Sequence, residues 1–126
     1  MKKEFQAAWL LKAISMIDLT TLAGDDTRGN VMRLCEKAKN PVRADILQTL
    51  GMENASLTTG AVCVYHTLIP FAKEALEGTS IPIAAVSTGF PAGNISLEDK
   101  ITEIKKSVKA GAKEIDIVIS RDLVLE

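Results

Sequence analysis

Histidine occurs once in this chain, at His66, and cysteine twice, at Cys35 and Cys63. A single imidazole excludes histidine-rich metal centres and any chemistry that pairs two imidazoles. The two cysteines have neither metal-ligand nor redox-motif spacing and make too thin a framework for a disulfide-stapled domain. Free buried thiols in a reducing cytoplasm are the expected state. Aromatic residues make up 4% of the chain and the net charge is −1, so there is neither a stacking platform nor a basic surface for nucleic acid. No apolar run approaches a membrane span, and Met1-Lys2-Lys3-Glu4-Phe5 lacks the apolar core of a secretory signal. The expectation is a cytoplasmic protein without nucleic-acid or membrane partners.

What is present fits one globular domain: 126 residues, 47% hydrophobic and 25% charged. The spacing predicts a first helix over 3–14 and a short strand near 16–21. Asp26 is placed to cap a second helix, whose Val31, Leu34, Cys35 and Ala38 form an apolar stripe. Asn40-Pro41 stops it, and an extra short helix over 41–50 is expected to turn Ile46, Leu47 and Leu50 inward. A β-branched run near 60–65 makes a second strand, followed by a helix from Ile69 to Leu76 that Gly78 closes. A third strand near 81–87 carries Pro82 at its start, where a missing donor is tolerated. Ser96 with Asp99 three residues on gives a shortened capping box. In the helix that follows, Ile101, Ile104 and Val108 are expected to face inward, with Lys100, Glu103, Lys106 and Lys109 outward. The last strand is expected near 114–120, with no helix after it.

Strands alternating with helices through short loops spell consecutive βα units and a parallel sheet. Both a flavodoxin-like domain and half of an eight-stranded barrel fit that alternation. The period of two within the strands separates them. In Glu114-Ile115-Asp116-Ile117-Val118-Ile119-Ser120 the isoleucines take one face, and Asp116 and Ser120 the other. Likewise Asp18 and Thr20 oppose Ile17 and Leu19, and Cys63 and Tyr65 oppose Val62 and Val64. A doubly wound sheet needs two greasy faces, whereas a barrel interior near its mouth can be polar. The pattern favours the barrel. A carboxylate at mid-strand in a covered sheet is costly without partners or a task, which singles out Asp116. The plain alternatives are a structural carboxylate at Asp116, a turn-former at Asp18, a small core hydrophobe at Cys63 and a rim phenol at Tyr65.

The runs Ile17-Asp18-Leu19-Thr20-Thr21-Leu22, Ala61-Val62-Cys63-Val64-Tyr65, Gly89-Phe90-Pro91-Ala92-Gly93 and Glu114-Ile115-Asp116-Ile117-Val118 stand in a telling order. In that order and spacing the chain resembles the 2-deoxyribose-5-phosphate aldolases, along essentially its whole length. Lys3 to Ala13 and Arg121 to Leu125 are similar to the animal branch. The resemblance implies a TIM (β/α)8 barrel of which this chain holds the first four strands. It also implies a metal-free class I aldolase that cleaves a sugar phosphate through a Schiff base. Asp116 matches the family's proton-relay aspartate, and Asp18, Thr20, Cys63, Tyr65 and Phe90 match positions lining its pocket. The family's Schiff-base lysine lies in an Ile-Lys-Thr-Ser-Thr-Gly run and its partner lysine in a Gly-Phe-Lys-Pro-Ala-Gly-Gly run. Neither run occurs here, so the chain alone is expected to be inactive.

Half a barrel has two unpaired edges and an uncovered inner face, so self-association into a homo-oligomer is expected. Two rival readings fit the alternation but not the four ordered runs. One is a flavodoxin-like phosphate-binding module that grips an anion with Gly89 to Asn94 and the Ser96 helix start. The other is a non-enzymatic scaffold that recruits a partner through an open sheet edge.

Overall fold

The structure, a computed structural model, describes residues 2–125. Its helices are α1 (Lys3–Ile14), α2 (Arg28–Lys39), α3 (Ala44–Thr49), α4 (Ile69–Ala75), α5 (Leu97–Ala110) and α6 (Arg121–Leu125). The strands are β1 (Asp18–Thr20), β2 (Ala61–Tyr65), β3 (Ile83–Ser87) and β4 (Glu114–Ile117). All pair in parallel, in the order β1-β2-β3-β4. Neighbours in sequence are thus neighbours in space, and the sheet is wound in one direction only.

The register puts Leu19, Val62, Ile83 and Ala85 on one face with Val64 and Ile115. This face meets Val31, Cys35 and Ala38 of α2 and Ile69, Ala72 and Ala75 of α4 in the main core. The opposite face carries a second, smaller cluster of Ala61, Cys63, Ala84 and Val86, flanked by Leu22, Tyr65 and Phe90. Helices on one face and a separate cluster on the other describe half of a (β/α)8 barrel, with the second cluster toward the barrel interior.

Several local expectations are corrected. Asp26 does not cap α2: Thr27 does, its hydroxyl accepting from the Asn30 N–H. The Asp26 carboxylate instead closes the β1–α2 loop, accepting from the Thr21 hydroxyl, the Ala23 N–H and the Asn30 side chain. α3 buries none of its residues, and Ile46 and Leu50 are exposed. In α5 the fully buried residue is Ser107, while Ile101 and Val108 are exposed. Lys100 and Glu103 of that helix turn inward, to the Ser120 hydroxyl and the Gly89 N–H. The Ser96 cap of α5 is present, accepting from the Asp99 N–H at 3.1 Å.

The ladders are shorter than the apolar runs. β1 spans three residues, and β4 stops at Ile117 rather than continuing to Ser120. After Ile117 the Thr88 side chain takes over the pairing with Val118, so the main chains diverge. A short helix, α6, then follows where none was expected.

Candidate active site on the inner sheet face

Period two and the sheet register together decide which side chains share the inner face. Thr20 pairs with Cys63, Cys63 with Ala84, and Tyr65 with Val86, which in turn pairs with Asp116. Asp18 is two residues before Thr20 on the same face. The structure therefore brings Asp18, Thr20, Cys63, Tyr65 and Asp116 to one surface. Phe90 reaches that surface from the loop after β3 and sets its ring edge against Tyr65, with centroids 6.0 Å apart and planes at 64°.

One side-chain contact on this face joins β2 to β4. The Cys63 thiol donates to Oδ2 of Asp116 at 3.4 Å, although β3 lies between them. Strand spacing alone would separate side chains on β2 and β4 by about 9–10 Å, so the sheet must curl toward this face. Cys63 is buried and unbridged, whereas Asp116 is exposed on the edge strand. Burial pushes the thiol pKa up to about 12, helped by the hydrogen bond to Asp116 and the negative charges of Asp116 and Asp18. A hydrogen bond from Thr20 works in the opposite direction. Cys63 is therefore a neutral donor at physiological pH and not a thiolate nucleophile.

The loop that carries Phe90 is held at three points. Thr88, at a positive φ of 60°, bonds Val118 through its hydroxyl. The Gly89 N–H donates to Glu103 of α5 at 2.9 Å, and His66 Nδ1 stands 4.0 Å from the other oxygen of that carboxylate. Gly93, at φ 74°, packs so closely that a Cβ would sit 2.8 Å from the Ile119 carbonyl oxygen. Only glycine fits there.

Ala84, Val86 and Leu22 belong to this face and were absent from the sequence-derived set. Carrying the even–odd count one step past Thr20 would have found Leu22, whereas β3 is apolar on both sides and its parity names no face. Thr88 and Glu103 carry no such signal, because loop conformation and helix rotation place them. Among the described residues no three histidine, cysteine or acidic side chains are grouped as metal ligands, and no helix is long and apolar enough to cross a membrane. A surface cavity of about 750 Å³ lies elsewhere, near the N-terminal ends of β3 and β4, lined by Lys73, Ile81, Pro82, Gly111 and Lys113 among others.

Residues 12–124 match the family described as DeoC/LacD family aldolase. Deoxyribose-phosphate aldolase from Mus musculus is 58% identical over 126 residues and that from Homo sapiens 55%, each alignment covering 98% of this chain. The chain spans 40% of the length of either. Among solved structures, one described as a deoxyribose-phosphate aldolase from Coccidioides immitis superposes with a TM-score of 0.73 at 26% identity, covering 91% of this chain and 39% of its own. The tetrameric deoxyribose phosphate aldolase of Aeropyrum pernix superposes at 0.67 with 24% identity, covering 90% and 41% respectively.

Proposed function

Because the chain belongs to the DeoC/LacD aldolase family, we propose that its inner sheet face is the first half of an aldolase active site for 2-deoxy-D-ribose 5-phosphate. In that reading a lysine amine attacks the sugar aldehyde at C1 and loses water to give an iminium. Asp116, with a second lysine and a water, removes the C3 hydroxyl proton. The C2–C3 bond then breaks, and its electrons pass to the iminium nitrogen as an enamine. C3 leaves as the aldehyde of D-glyceraldehyde 3-phosphate; protonation at C2 and hydrolysis release acetaldehyde. A carboxylate suits the relay because it takes and returns a proton while steadying a neighbouring ammonium. The lysine runs of that chemistry do not occur in residues 1–126; in this reading catalysis, and with it a part in deoxyribonucleotide catabolism, needs the complete barrel.

The observation that carries the reading is Asp116, standing on the inner face of β4 with its carboxylate turned across β3 to Cys63. Asp18, Thr20 and Tyr65 then shape the sugar site, and Phe90 closes its rim. Buried free thiols favour a reducing compartment such as the cytoplasm. Exposed Ile117 at the end of β4 and exposed Ile119 just beyond it favour self-association.

Borohydride trapping with 2-deoxyribose 5-phosphate, read by intact mass, tests the proposal. One sample is this chain; the other is this chain fused to the part of the Mus musculus relative that follows the matched stretch. An adduct on the fusion alone is expected, with turnover lost on Asp116→Asn. An adduct on the 126-residue chain, or none on the fusion, would overturn it.

A further inference from the structure

The thiol of Cys63 and the carboxylate of Asp116 meet across an intervening strand, and that geometry has requirements. Cys63 is in register with Ala84 and Asp116 with Val86. The crossing therefore passes over β3 between Val86 and Ala84, a fully buried residue whose side chain is one methyl group. Asp116 itself is exposed on the edge strand, where water competes for its oxygens and solvent-directed rotamers are open to it. Among the described residues Cys63 is the one side-chain donor to that carboxylate.

We propose that Cys63 is a positioning residue for Asp116: its thiol donates to Oδ2, selecting the rotamer that turns the carboxylate onto the inner face. Ala84 keeps the path between them open. The role in catalysis rests on the proposed reading of Asp116 as the proton relay; the orienting contact does not. The thiol suits the task because burial and the flanking carboxylates keep it protonated, and so a donor, through the neutral range. A serine hydroxyl would donate in the same way. Alanine has nearly the same bulk and cannot.

The test uses the labelled 126-residue chain and needs no substrate. Three-bond couplings across χ1 of Asp116 are expected to report one dominant rotamer in the wild type and in Cys63→Ser. In Cys63→Ala they average. A packing role alone would leave Cys63→Ala close to the wild type and give Ser no advantage, and either result overturns the proposal. Should Cys63→Ala not fold, the nearly isosteric Asp116→Asn decides through the onset of Cys63 ionisation, followed by its Cβ shift from about pH 7 to about pH 11. Removing the carboxylate should bring that onset to lower pH. An unmoved onset would overturn the contact. In the mouse fusion, Cys63→Ala should lower turnover severalfold and Cys63→Ser restore it. A fusion that traps no sugar removes the relay reading while the couplings still judge the contact, so the two failures are distinguishable.

Discussion

The hydroxyl of Thr88 holds both backbone groups of Val118, donating to its carbonyl at 3.0 Å and accepting its N–H at 2.6 Å. A side chain here stands in for a rung of the β3–β4 ladder. The main chain of Thr88 is thereby released into a left-handed conformation, and the loop turns back over the inner face with Phe90. A non-glycine residue at positive φ is costly and persists where its surroundings hold it.

Thr88→Val should lose both bonds and lower stability by about 2 kcal/mol, at roughly 1 kcal/mol per bond. Thr88→Ser should retain most of it. Thr88→Gly loses the bonds but relieves the strain, and should fall between the two. Urea midpoints for the three variants check the order.

The Asp26 carboxyl is held below the usual range, chiefly by the Thr21 hydroxyl and further by Asn30 and the Ala23 N–H. A depressed folded-state pKa means that the unfolded chain binds the proton more readily. This contribution to stability is therefore present above the ordinary value of 3.8 and lost as the pH falls through and below it. Asp26→Asn should be less stable than the wild type near pH 6, and the gap should narrow toward pH 3. Melting temperatures of both proteins across that range would show it; a constant gap would refute the linkage.

Ser107 of α5 is fully buried and its hydroxyl has no hydrogen-bond partner among the described residues. Leaving a buried donor unmatched is unfavourable, and alanine is the better helix former. Ser107→Ala should raise stability by up to about 1 kcal/mol in chemical denaturation. A loss instead would mean that the hydroxyl is bonded in solution.

The inner face was legible where an alternating strand mixes polar with apolar residues. Asp18, Thr20, Cys63, Tyr65 and Asp116 each stand opposite a hydrophobic neighbour, so parity alone assigns their side. β3 reads Ile83-Ala84-Ala85-Val86, apolar on both sides, and parity without polarity gives no reason to connect Ala84 with Asp116. Helix faces failed for a different reason. Ile101 and Val108 follow helical spacing, yet α5 turns Glu103 and Ser107 toward the sheet and leaves those two uncovered. Hydrophobicity marks a face as needing cover without saying what supplies it. The capping of α2 turned on adjacent residues, Asp26 and Thr27, both good caps; the loop's own need for an acceptor took the aspartate.

The two faces of the sheet share a backbone and little else. Val62, Val64, Ile83 and Ala85 hold the helices, while Cys63, Ala84 and Val86 alternate with them on the other side; Tyr65 touches both clusters. A library randomised at 63, 84 and 86 would leave every anchor of the helical layer in place. Selection can thus search ligand preference and structural robustness as nearly independent variables, one parity of the same strands for each.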